Sequence, residues 1–142
     1  MGAPLMTESK RTEEALRASE ARLAAGTELA GLGYYEVDYG ERICFMDDRF
    51  REICGVPTDR QEGLKAVEFW LEHVHADDLQ LISQERQKLH GGIVDRIALE
   101  YRYQHPARGL RWLHHSARIA GRSAGGDQIR TFGVVRDITV QK

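Results

Sequence analysis

Residues 73–78 read His73-Val-His75-Ala-Asp77-Asp78. Two imidazoles and two carboxylates so close together are the residue types of a metal site or an acid–base cluster. A second imidazole pair, His114-His115, lies in a stretch with strand character, where neighbouring side chains point to opposite faces and cannot share a ligand. The acids Asp77 and Asp78 also suit the first turn of a helix, whose N-terminal end carries partial positive charge. Neither Ser nor Cys is visibly paired with a base. Cys44 and Cys54 have no metal-type spacing to each other or to a His pair, and both read as small core residues in a reducing compartment. No catalytic residue and no metal ligand is therefore assigned.

A chain of 142 residues, 42% hydrophobic and 30% charged, is the size of one ordinary domain with a core of its own. Twenty Lys and Arg against 22 Asp and Glu leave a formal charge of −2. No basic stripe stands clear of acids, so nucleic acid is not expected as a partner. No apolar run approaches the roughly 18 residues of a membrane span, and the N-terminus lacks a signal-peptide layout. A soluble, cytoplasmic chain is expected.

The elements that must position these residues follow from periodicity. Residues 7–25 are rich in Ala, Glu, Arg and Leu, with Glu13 four residues before Arg17, and predict a helix that Gly26, Gly31 and Gly33 end. Leu16 and Leu23, seven residues apart, give it a thin apolar seam and make it a candidate dimer-forming coiled coil. Tyr35, Val37 and Tyr39 alternate with polar neighbours in a first strand. A turn at Gly40-Glu41 leads to a second strand from Arg42 to Met46. Asp47 caps a short helix with Phe50, Ile53 and Cys54 on one face, stopped at Gly55-Val56-Pro57. Val67, Trp70, Leu71 and Val74 mark a buried helical stripe, and Leu79, Ile82 and Leu89 mark another up to Gly91-Gly92. Three strands close the chain: one around Ile97 to Tyr103, one from Leu110 to Ile119, and one from Gln128 to Ile138, the last preceded by a glycine-rich loop at 121–127. The expected fold class is α+β, a five-stranded antiparallel sheet with short helices on one face and a flanking N-terminal helix. Alternation alone leaves open which side of the sheet Ile97, Leu99, Tyr101 and Tyr103 face.

This order, with Gly33-Tyr-Tyr-Glu-Val-Asp38, Phe50-Arg-Glu-Ile-Cys-Gly55, His75-Ala-Asp-Asp78, Glu100-Tyr-Arg102, Gly109-Leu-Arg-Trp112 and Asp137-Ile-Thr139, resembles the PAS domain of bacterial sensory proteins. The His75 segment is similar to the family's His-Pro-Asp-Asp with the Pro changed, and the closing Asp-Ile-Thr is the most specific part. The resemblance implies a helix and linker over residues 1–25, a sensor domain over 26–140, and at 141–142 the start of a C-terminal linker, as if the chain were a piece of a longer protein. It implies a non-catalytic sensory or relay module serving a C-terminal effector domain in cis, with a histidine kinase favoured and a diguanylate cyclase the alternative. His75 is then a helix-start residue.

Flavin photosensors of this superfamily need an Asn-Cys-Arg-Phe motif, and this chain contains no Asn, so a flavin photocycle is rejected. Haem-binding members place an axial His within the long helix. Leu79 to Leu89 contains none, and His75 and His90 only flank it, which disfavours haem. No cofactor is expected, and an unknown small molecule remains the candidate ligand. Phe45, Phe50, Ile53, Trp70, Leu79, Ile82 and Leu113 are the candidate pocket lining, each also readable as ordinary core. Asp137 and Thr139 are the candidate signal-coupling residues, where the family's sheet meets its output helix. A homodimer through Leu16, Leu23 and the exposed sheet face is the competing role.

Overall fold

The computed structural model describes residues 3–122 and 129–141, so most of the glycine-rich loop lies outside the described residues. The chain divides into two compact units, Met1–Ala30 and Gly31–Lys142. The first is one helix, α1 (Ala3–Leu29), and it runs through Gly26. A glycine inside a helix costs only about 1 kcal/mol, which the neighbouring helix formers absorb. The effective stop is Gly31, whose φ of 69° suits glycine far better than any residue with a Cβ. Leu16 and Leu23 are 59% and 65% exposed on this helix.

In the second unit, strands β1 (Leu32–Asp38), β2 (Ile43–Met46), β3 (Arg96–His105), β4 (Gly109–Arg122) and β5 (Ile129–Asp137) form one antiparallel sheet in the order β2-β1-β5-β4-β3. The first and last strands are neighbours, with Tyr35 opposite Gly133 and Val37 opposite Thr131. Helices α2 (Asp48–Cys54), α3 (Lys65–His73) and α4 (Ala76–His90) lie between them in sequence and cover one face. The early turn is wider than expected. Strand β2 begins at Ile43 and Arg42 takes a φ of 57° in the turn.

Register settles which side faces the helices. Tyr101 opposes Leu113, and Leu99 opposes His115. Tyr101, Tyr103, Leu113 and Val135 are fully buried against α2, α3 and α4. Gly133 makes this close packing possible. A Cβ there would lie 2.5 Å from the Ser116 carbonyl oxygen and 2.7 Å from the Tyr35 hydroxyl.

Asp47 caps α2 by accepting from the Phe50 amide, and Phe50, Ile53 and Cys54 are buried as expected. The buried face of α3 is instead Ala66, Phe69 and Trp70, with Val67 and Leu71 half-buried. Val74 is buried but lies past the helix, where it bridges Tyr103 on the edge strand β3. The helical phase therefore never governed it. This pairing breaks α3 from α4: the His75 amide donates to the Arg102 carbonyl at 2.9 Å, and the His75 Nδ1 accepts from the Asp77 amide at 3.1 Å. Asp78 does more than face a helix end. Its carboxylate accepts from the Arg102 backbone amide, Nε and Nη2 at 2.8–3.0 Å, pinning α4 to β3. The Arg102 hydrogen bonds hold the Asp78 carboxyl below its usual range despite burial.

Candidate functional site

Between the inner sheet face and the helices lies an apolar cavity of about 60 Å³. On this measure one water needs roughly 10–15 Å³, so there is room for about four to six atoms of a small molecule. Phe50, Trp70 and Ile82 line it, as expected from the sequence. The other expected residues do not. Ile53 and Leu113 are sealed in the core, and Leu79 packs on the core from outside. Phe45 is a correction: it is 53% exposed on the opposite face. It pairs with Glu36 in a strand whose inward residues are Cys44 and Met46, so the parity of β2 turns it out.

The sequence reading missed the polar groups of the cavity wall. Tyr35, Arg86, His90, His115 and Thr131 all line it. His115 sits between two tyrosines, with Nε2 2.7 Å from the Tyr35 hydroxyl and Nδ1 2.9 Å from the Tyr101 hydroxyl. The Trp70 indole N–H lies 2.8 Å from that same Tyr101 oxygen. An indole only donates. Tyr101 therefore receives from Trp70 and gives its own hydrogen to His115 Nδ1. The neutral imidazole then carries its hydrogen on Nε2 and donates it to Tyr35. The opposite tautomer would strand the Tyr101 hydrogen in a fully buried place, at about 1–3 kcal/mol. In the assigned tautomer the Tyr35 hydrogen is left over, on a residue that lines the cavity.

Burial keeps His115 neutral. With the charges of Arg86 and His114 it pushes the imidazole down to about 3. Burial, Arg86 and Arg122 likewise push His90 down to about 4. The thiols are equally quiet: burial pushes Cys44 up to about 11 and Cys54 higher still, so neither is a thiolate nucleophile near neutrality. The wall can bind by shape and hydrogen bonding, with no activated nucleophile in it.

Residues 43–135 match the family described as PAS fold. The chain belongs to the PAS family. Three solved structures show the same fold. A sensory box histidine kinase/response regulator from Burkholderia thailandensis is 18% identical, with TM-score 0.64, over 84% of this chain and 86% of that one. The N-terminal domain of a diguanylate cyclase with a PAS/PAC sensor from Marinobacter aquaeolei is 17% identical, with TM-score 0.62, over 78% and 97%. A domain of a histidine kinase from Haloarcula marismortui is 21% identical, with TM-score 0.63, over 84% and 99%. Curated protein sequences yield no match to this chain.

His73 and His105 of this PAS domain bond the backbone. His73 stacks on Phe69 with ring centroids 4.0 Å apart and donates from Nδ1 to the Phe69 carbonyl. His105, unremarked in the sequence, accepts the Ala107 and Arg108 amides at Nδ1 and donates from Nε2 to the Glu52 carbonyl. No helix among the described residues is long and apolar enough to cross a membrane.

The PAS sheet leaves through Asp137 and Thr139. The Asp137 Oδ1 accepts from the Thr139 amide and hydroxyl at 2.9 and 2.5 Å, and Oδ2 accepts from Arg111 Nε at 2.8 Å. The Thr139 hydroxyl oxygen in turn accepts the Trp112 amide at 3.0 Å. Burial pushes the Asp137 carboxyl up, but the Thr139 and Arg111 hydrogen bonds outweigh it and hold the group below its usual range. One carboxylate thus ties the end of β5, the start of β4 and the final 3₁₀ turn, Thr139–Gln141, together.

Proposed function

We propose that this PAS domain is a non-catalytic sensor that binds a small molecule in the inner cavity and passes the change to an effector domain through Asp137 and Thr139. The observation that carries this reading is the cavity itself: an apolar space of about 60 Å³ whose wall presents polar groups from β1, α4, β4 and β5. Such a combination of apolar body and few polar contacts is what small-molecule sites share. Its size favours a ligand of a few heavy atoms over haem or flavin. A ligand acts as a signal if it binds one arrangement of the sheet better than another, shifting the population. The Asp137 knot would feel that shift because it couples strands β4 and β5 to the exit turn.

The relatives place domains of this fold in a histidine kinase and in a diguanylate cyclase. A histidine kinase is the output domain we favour, with a cyclase second, in a cytoplasmic homodimer. The second reading is a ligand-free dimerisation module working through Leu16, Leu23 and the outer sheet face. The exposure of Leu16, Leu23, Ile43 and Phe45 favours it. Native mass spectrometry of the purified chain, followed by denaturation and weighing of what is released, separates the two. A retained small molecule supports the sensor. A bare dimer supports the second reading, and a bare monomer counts against both.

A further inference from the structure

Arg86 lines the apolar cavity, yet no Asp or Glu lines it with the arginine, and among the described residues no carboxylate lies within ion-pair distance of its guanidinium. Neutral groups position it instead. Its Nη2 donates to the Tyr39 hydroxyl at 3.2 Å, and the guanidinium lies 5.8 Å from the centroid of the Trp70 ring. The other ionisable wall groups do not compensate it. His90 and His115 are held neutral, and Tyr35 keeps its proton through burial. The wall thus carries one uncompensated positive charge near neutral pH, beside the spare hydroxyl hydrogen of Tyr35. A half-buried cation without a counter-ion is an unfavourable arrangement that an anion relieves.

Resting on the sensor reading, we propose that the ligand is a small monoanion, a carboxylate on an apolar body of about four to six heavy atoms in all, paired with Arg86. The size follows from the cavity volume and the charge from the guanidinium. The apolar body meets Val37, Ile82, Leu99 and Ala117.

The test uses the chain freed of bound small molecules, with butyrate and butyramide as probes of nearly equal shape and different charge, followed by ligand-observed NMR titration. Butyrate should bind about tenfold or more tightly than butyramide, as hydrogen bonds to charged groups are roughly twice as strong as neutral ones. Arg86→Gln should remove that advantage and leave butyramide unchanged, whereas Arg86→Lys, which keeps the charge, should retain most of it. Ala117→Leu should fill the cavity and abolish both. Butyramide binding as well as butyrate, or butyrate binding unmoved by Arg86→Gln, overturns the anion preference and leaves the sensor reading standing. Binding that survives Ala117→Leu lies elsewhere and also overturns the proposal. If neither probe binds, the proposal falls, and native mass spectrometry of the untreated chain decides the sensor reading separately.

Discussion

His114 and His115 are adjacent on β4, and the sheet between them separates two environments. His115 is 8% exposed, fixed between Tyr35 and Tyr101, and kept neutral by burial. His114 is half-buried on the other side, opposite Arg136. On the inner face each buried polar side-chain atom described has a partner. On the outer face the Tyr34 ring centroid lies 6.3 Å from that of Phe45 and 6.4 Å from that of Phe132, and the Arg118 guanidinium lies over Phe132. The inner face is thus determined by buried hydrogen bonds and shape, the outer face by partly exposed ring and cation–π contacts. Substitutions inside should be costly and specific, and substitutions outside should be cheap for the fold.

The largest expected loss is from Gly133→Ala. Its methyl would press on the Ser116 backbone and the Tyr35 ring, neither of which is a flexible side-chain tip. We expect a loss of about 3 kcal/mol, read from urea denaturation, since overpacking a tight site costs about this much. A loss below about 1 kcal/mol would mean that the inner face yields easily and that the contrast between the faces is overstated.

His115 gives a second test by pH. Above about pH 6.5 His115 is neutral in the folded and unfolded chains, and it contributes no dependence. Between that value and about 3 the unfolded chain holds a proton that the folded chain refuses. Stability must therefore fall on acidification, at about 1.4 kcal/mol per pH unit in the middle of that window, and the penalty is complete below it. His90 adds a smaller term of the same sign. Denaturation midpoints at pH 7 and 5 should show this slope flattened in His115→Gln.

Asp137→Ala should cost the fold only about 1 kcal/mol, because it removes hydrogen bonds at a partly exposed strand end. Its effect should instead appear in coupling. In a protein carrying the output domain, ligand binding should persist and the output response should vanish. Persistence of the response in that variant would relieve Asp137 of the coupling role.

What the sequence disclosed divides by separation along the chain. Contiguous signals were legible: the Asp47 cap, the α2 face of Phe50, Ile53 and Cys54, the break at His75, and the grouping of Asp137 with Thr139. Each is written within a few residues of chain. The cavity wall was not legible, because Tyr35 meets His115 across 80 residues and Trp70 meets Tyr101 across 31. Alternation assigned His114 and His115 to opposite faces, but only strand register says which one is inside. The same ambiguity put Phe45 on the wrong side. Arg86 reads as an ordinary polar helix residue until the sheet is laid over α4.

The smallest expected effect is from Phe45→Ser. Phe45 is 53% exposed, and its ring touches the rest of the fold mainly through Tyr34, at a centroid distance of 6.3 Å. Little apolar surface is lost from the folded monomer, so its stability should change by no more than about 0.5 kcal/mol. If the outer face meets a second copy of the chain, that contact would desolvate the exposed part of the ring, and the substitution should weaken the dimer without touching the monomer. Sedimentation equilibrium beside urea denaturation distinguishes the two effects. A monomer loss above about 1 kcal/mol would show that Phe45 is structural, and the division between a determined inner face and a permissive outer one would have to be redrawn at β2.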